Sequence, residues 1–229
     1  GLLPSLDPDL TARIRSASHE ELNNILIEHG VQPQAQATPT DLYYGDVRVH
    51  REYSESLLRN LTQASSMRVK SWETAFVPLP KTTLAFHNFI VGEDGATKSV
   101  IALNTYWTKH PDETAHVLAV DAKRGFHPNG SDTVASLVTH EFGHAIDYHT
   151  GSKMSLWAAD KFFVGQAHGQ FLREELGIKN KWDSANSSQR ELSDSARITL
   201  GGLVGEYSVT SPREAVAELY AYTMSNEPR

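Results

Sequence analysis

The sequence predicts an α+β fold: a small mixed β-sheet in the middle of the chain, helices before it and a helical C-terminal half. Three observations carry this. Alternating or short apolar runs bounded by turn residues occupy 74–77, 83–91, 99–107 and 116–121, the pattern of strands. From residue 131 onward, over 131–149, 153–176, 187–198 and 212–225, apolar residues recur instead at three- and four-residue spacing, the pattern of amphipathic helices. The 229 residues, 39 % hydrophobic and 21 % charged, suffice for one well-buried domain or two small ones.

Each element has a local reason. Asp7-Pro8 is an N-cap followed by a first-turn proline and opens a short helix through Ser16. Ser18-His19-Glu20-Glu21 is a capping box, and Gly30 closes the helix it starts. Residues 31–41 are polar and proline-punctuated and read as an exposed linker. A further helix is expected over 47–63, with Tyr53, Leu57, Leu58 and Leu61 inward. Gly92-Glu93-Asp94-Gly95 reads as a hairpin connection. Ser131 or Asp132 is the expected cap of the helix over 131–149, and 180–190 reads as a surface loop. The expected division is a helical segment over 1–70, serving for docking, as a pro-region or as a vestige, and a second domain over 71–229.

Composition removes several functions. With 21 Lys and Arg against 28 Asp and Glu, the net charge of −7 does not attract a phosphate backbone or anionic lipid, which argues against nucleic acid as partner. No apolar run approaches the roughly 20 residues of a membrane span. The absence of cysteine excludes thiol nucleophiles, disulfides and thiolate zinc sites, so the 11 histidines are the available nitrogen ligands. Gly1 in first place reads as the start of a processed or partial chain.

His140-Glu141-Phe142-Gly143-His144 matches His-Glu-x-x-His, a pattern that arises by accident in roughly 4 % of chains of this composition. Its setting is more specific than its letters. It lies in a helix with Val134, Leu137, Val138, Phe142 and Ile146 as apolar positions, and at about 100° per residue His140 and His144 share one face. Glu141 is rotated by one residue, placed to hold a metal-bound water, while Asp147 returns to the ligand face. A catalytic zinc needs a third protein ligand. Glu214 and Glu218 share a face of the last helix at i, i+4 among Ala215, Ala217 and Leu219, an expensive place for carboxylates without a cation. The alternative is local, because Ser211 with Glu214 three residues later is also a capping box.

His140-Glu141-Phe142-Gly143-His144-Ala145-Ile146-Asp147, followed by Tyr207, Glu214 and Glu218, resembles the gluzincin metallopeptidases of the anthrax lethal factor type, which include zincin-like domains of bacterial toxins and phage head-associated proteins. The family's tyrosine stands seven residues before the glutamate ligand and its second glutamate four after, as here. Gly125-Phe126-His127-Pro128-Asn129-Gly130 resembles a loop of the phage-type members, and the likeness covers about 98–225. It implies a zincin-like fold with one Zn²⁺ per chain on His140, His144 and Glu214. It further implies Glu141 as general base, Tyr207 as oxyanion donor and Glu218 as the partner of a ligand histidine, with Asp147 nearby. The implied activity is endopeptidase cleavage of a protein or peptide substrate, in a secreted or virion-associated setting.

Other readings stay open at this level. The chain can instead be a virion- or toxin-associated structural module that keeps the fold without turnover. His127 and His149 flank the motif helix and read as structural or solvent-facing, Gly143 as a packing contact, and the four tryptophans as packing residues. The strand over 99–104 is a candidate sheet edge for an extended peptide, or an ordinary strand.

Overall fold

A computed structural model describes residues 3–33, 45–66, 72–128, 130–163, 171 and 194–225. The fold is α+β. The N-terminal helices form where their caps predict: α1 (Pro8–Ser16) under Asp7, and α2 (His19–Glu28) with both halves of the Ser18–Glu21 capping box in place. Gly30 then turns the chain at φ 83°, a backbone angle that favours glycine. The expected linker is in part a strand, since β1 (Gln32–Pro33) pairs in parallel with β2 (Trp72–Val77); its remainder lies outside the described residues. Helix α3 (Val47–Ser66) buries Tyr53, Leu57 and Leu58 as its periodicity requires.

The sheet runs β1-β2-β4-β3, with β4 (Thr97–Asn104) parallel to β2 and antiparallel to β3 (Ala85–Val91). The hairpin turn falls at 92–95, where the Gly92 N–H donates to Ala96 O at 2.7 Å and Gly95 takes φ 75°. This order corrects one expectation. The strand over 99–104 lies inside the sheet, and β3 is the edge, its outer residues Phe89, Ile90 and Val91 exposed.

Two strand readings are also corrected. Residues 105–108 form a helical turn, α4 (Thr105–Thr108), because Asn104 Oδ1 accepts from the Tyr106 N–H at 3.1 Å and caps it. The run 116–121 lies within helix α5 (Pro111–Lys123): a first-turn proline with Asp112 and Glu113 behind it starts a helix, and Thr114 and Leu118 are buried at i, i+4. Asn104 does a second job. Its amide donates to Pro80 O at 3.0 Å and Thr83 O at 2.7 Å, and the Trp107 Nε1–H donates to Lys81 O at 2.9 Å, fastening 79–84 to the end of β4.

Helix α6 (Val134–His149) is capped by Thr133, whose Oγ1 accepts from the Ser136 N–H at 3.2 Å, not by Ser131 or Asp132. After it come α7 (Lys153–Phe162), α8 (Asp194–Val204), a 3₁₀ turn (Glu206–Val209) and α9 (Pro212–Ser225). Of the helix expected over 153–176, the described part runs to Phe162, and 164–170 and 172–176 lie outside the described residues; of the one expected over 187–198, 187–193 lie outside them and the helix is present from Asp194 and continues to Val204. The loop at 180–190 lies outside the described residues. No helix among the described residues is long and apolar enough to cross a membrane.

The core does not divide at residue 70. Ile14, Leu22, Tyr53 and Leu57 share one cluster with Phe76, Ile101, Val138 and Phe142. Polar contacts cross the same boundary: Asn60 Nδ2 donates to Thr139 Oγ1 at 3.2 Å, Ser56 Oγ to Ala135 O at 3.2 Å, and Tyr220 OH to Asn60 Oδ1 at 3.4 Å. Burial of side chains such as Phe142 and Leu57 contributes roughly 1.5–3 kcal/mol each. The apolar face of α6 therefore holds the helix in place and leaves its other face for chemistry.

One buried residue makes the fold sensitive to acid. His50 is 1 % exposed, lies edge-on to Phe76 with ring centroids 4.9 Å apart, and neither ring nitrogen has a hydrogen-bond partner. Burial, with a smaller contribution from His19, pushes it down from 6.5 to about 3. The unfolded chain takes up this proton below about pH 6.5 and the folded chain does not, so stability falls as pH falls between these limits. At pH 5 the loss is about 2 kcal/mol. Urea denaturation between pH 7 and 5 is expected to show a shallower decline for His50→Leu than for the wild type. Parallel declines would assign the acid sensitivity elsewhere.

Candidate metal centre

Two crossing helices build the site. Helix α6 carries His140, Glu141 and His144; α9 carries Glu214 and Glu218. They approach closely because Gly143 has no side chain: a Cβ there would stand 2.9 Å from Ala217 Cα and 3.1 Å from Tyr220 Cβ. Ala217 lies between Glu214 and Glu218 in sequence, so this crossing sets both carboxylates over the two histidines. Gly143→Ala is expected to push α9 outward and lower metal affinity at least tenfold while the helical circular dichroism is kept. Unchanged affinity would mean that the crossing is not what sets the ligands.

The side chains converge. Glu214 Oε2 stands 3.0 Å from His140 Nε2, and Oε1 stands 3.2 Å from His144 Nε2. Ligand atoms of His140, His144 and Glu214 all lie within 4.8 Å of one another, close enough to hold one metal ion. Glu214 Oε2 is buried and makes no hydrogen bond despite the nearby imidazole. Atoms this close but not aligned as donor and acceptor can face one shared cation. One backbone feature of the alternative capping box is present, the Glu214 N–H donating to Ser211 Oγ at 3.2 Å, but the Glu214 carboxylate is turned to the histidines.

The carboxylates dominate the field. Burial by itself would lower His140, yet the Glu214 and Glu218 carboxylates against its ring and the charge of Glu141 raise it to about 10. Burial likewise opposes ionisation of Glu214, but His140 and His144 hold it well below the usual carboxylate range. A site that pulls this strongly on a proton is suited to a divalent cation, and two imidazoles with one carboxylate form a set zinc accepts with an open position left. Glu141, 9 % exposed, is pushed up by burial, an effect that His140 and His144 partly offset. A carboxylate raised in this way is better matched to accepting a proton near neutrality.

Glu218 Oε1 lies 2.8 Å from His140 Nδ1, a contact that would hold this ring with Nε2 toward an ion bound between His140, His144 and Glu214. Tyr207 sits in the 3₁₀ turn before α9, its ring centroid 5.8 Å from that of His140. Burial and the carboxylates of Glu214 and Glu141 push its phenol up, so it is a donor at neutral pH. Asp147, expected near the ligands, accepts from the Ser155 N–H at 3.0 Å and from Ser155 Oγ, and Arg213 Nη1 donates to it at 3.4 Å. It ties the end of α6 to α7 and to the residue before Glu214. His149 Nε2 lies 2.6 Å from Ser99 Oγ, which also contacts His87 Nε2 at 3.1 Å, so His149 joins the helix end to the sheet.

His127, read from the sequence as structural or solvent-facing, touches the site. Its Nδ1 lies 3.1 Å from the same Glu218 oxygen that holds His140. No spacing rule marks this residue, because the contact joins positions 91 apart in sequence.

Two hollows, of about 520 and 640 Å³, meet at Ala85, His140, Glu141 and Tyr207. The first is walled by 81–84, Trp107, Val117 and Leu137; the second by Phe89, Tyr148, Ser211 and Arg213. Together they form a cleft through the site, with the edge strand β3 along the second half. Comparison of the chain with protein-family descriptions, with curated proteins and with solved structures finds no match.

Proposed function

We propose that this protein is a zinc-dependent endopeptidase of the gluzincin type with a zincin-like fold, acting on an extended protein or peptide substrate. The observation that carries the reading is the convergence of His140, His144 and Glu214, with the buried Glu141 beside them. When bound there, zinc supplies a Lewis acid and lowers the pKa of a water toward about 7. Glu141 takes that water's proton and returns it to the leaving amine. Tyr207 donates from its phenol to the oxyanion that develops on the scissile carbonyl. Glu218 keeps the His140 ring in the tautomer that presents Nε2. The outer side of β3, an edge strand among the described residues, runs along the second hollow and supports substrate binding by strand addition.

Metal analysis of the purified chain is expected to find about one zinc per chain. A peptide-library digest should show cleavage that stops with a chelator and returns with added zinc. Zinc without cleavage would favour the virion- or toxin-associated structural module; neither zinc nor cleavage would remove the reading.

A further inference from the structure

Glu218 is the one carboxylate of the site that holds two imidazoles on a single oxygen: Oε1 lies 2.8 Å from His140 Nδ1 and 3.1 Å from His127 Nδ1. Glu218 is 2 % exposed, and its Oε2 is buried without a hydrogen bond. All of its hydrogen bonding therefore passes through one atom. A buried carboxylate with a single donor is poorly satisfied and free to rotate about its terminal torsion. The second donor removes that freedom.

His127 is itself held on both sides. The Glu206 N–H donates to Gly125 O at 2.8 Å and the Tyr207 N–H to Phe126 O at 3.0 Å, so the loop before α6 is pinned to the 3₁₀ turn before α9. At the same junction a Cβ on Gly205 would stand 2.6 Å from Phe126 O, and Gly205 takes φ 89°. The His127 ring packs against Phe126 and Tyr207, with centroids 4.8 and 5.4 Å away. Among the described residues of the loop, His127 is the one whose side chain donates to Glu218.

We propose that His127 is a positioning residue for the metal centre: it donates from Nδ1 to Glu218 and thereby fixes the carboxylate that orients the ligand His140. The order of contact is His127, Glu218, His140, metal, with His127 two side chains removed from the ion. The direction of the Glu218 response agrees: burial opposes its ionisation, and His127 with His140 outweighs burial and keeps it a carboxylate. This rests on the reading of His140 as a ligand, and its test is kept separate from that reading.

The experiment is a zinc competition titration against a chromophoric chelator, on the full chain and on His127→Leu, His127→Asn, Glu218→Gln and the His127→Leu/Glu218→Gln pair. Loss of a partner behind a ligand typically lowers metal affinity about 10–100-fold. His127→Leu should show a loss of that order, and His127→Asn, whose amide can donate from the Nδ1 position, should recover most of it. In the Glu218→Gln background the leucine substitution should add little, because its effect passes through that carboxylate. Wild-type zinc binding with an unchanged His127→Leu affinity would overturn this inference and leave the metal centre standing. Equal loss in His127→Leu and His127→Asn, or full additivity with Glu218→Gln, would make His127 a packing residue. A wild-type chain that takes up no zinc would remove both.

Discussion

Glu141→Gln is expected to lower kcat for peptide hydrolysis by about 10²–10⁴-fold while about one zinc per chain remains bound. The substitution is close to isosteric. Glutamine keeps the acceptor oxygen that the backbone of His87 engages, so the packing at this 9 % exposed position is conserved. What disappears is the ability to take a proton. Glu141 is suited to that role because burial raises it while His140 and His144 keep the ionised form within reach. A mutation that leaves zinc and fold intact but halts turnover is the signature of a lost proton acceptor. Equal degradation of a peptide library by the variant and the wild type would place the hydrolysis in a contaminant or the chemistry on another residue.

Glu214→Gln is expected to weaken zinc binding by more than the about 10–100-fold typical of losing a supporting partner, since a ligand itself is neutralised. Helix α9 should persist. Its cap uses the Glu214 N–H and Ser211 Oγ, which the substitution does not touch, and glutamine is as good as glutamate at that place in a capping box. The amide oxygen remains a weak ligand, but the negative charge that opposes the ion is gone. Competition with a chelator gives the affinity, and far-ultraviolet circular dichroism checks the helix. Zinc binding equal to the wild type would return Glu214 to a purely capping role.

Much of this centre was legible because it is written locally. His140 and His144 stand four residues apart on one helix and Glu214 and Glu218 four apart on another, so helical periodicity alone puts each pair on a face, with Glu141 rotated by one residue beside the first. The meeting of the two faces is not local, yet Gly143 and Ala217 leave it room. What the sequence could not reveal is carried by contacts between distant segments. His127 reaches Glu218 from a loop with no periodicity. Asp147 has the right helical phase for the ligand face, but Ser155 and Arg213 claim it from elements whose positions no spacing encodes.

The strands were harder for a different reason. A short apolar run such as 116–121 suits a helix or a strand, and the deciding signals, Pro111 and the acidic first turn, stand before it. The strand over 99–104 was recognisable as a strand, but its place inside the sheet depends on β2 pairing in parallel across the β3–β4 hairpin. Sequence order says nothing of that.

The fastening of 79–84 by Asn104 and Trp107 bears on how the cleft selects. That segment is one wall of the first hollow, and it is tied to the end of a buried strand before any ligand arrives. A substrate chain entering the cleft as proposed would meet a mould already cast. No ordering of this wall is charged against binding, and none is available to relax around a misfit. On the proposed reading this side discriminates by refusal at the rim, so altering Val117, which stands on neither helix of the candidate metal site, is expected to change what fits without disturbing those helices.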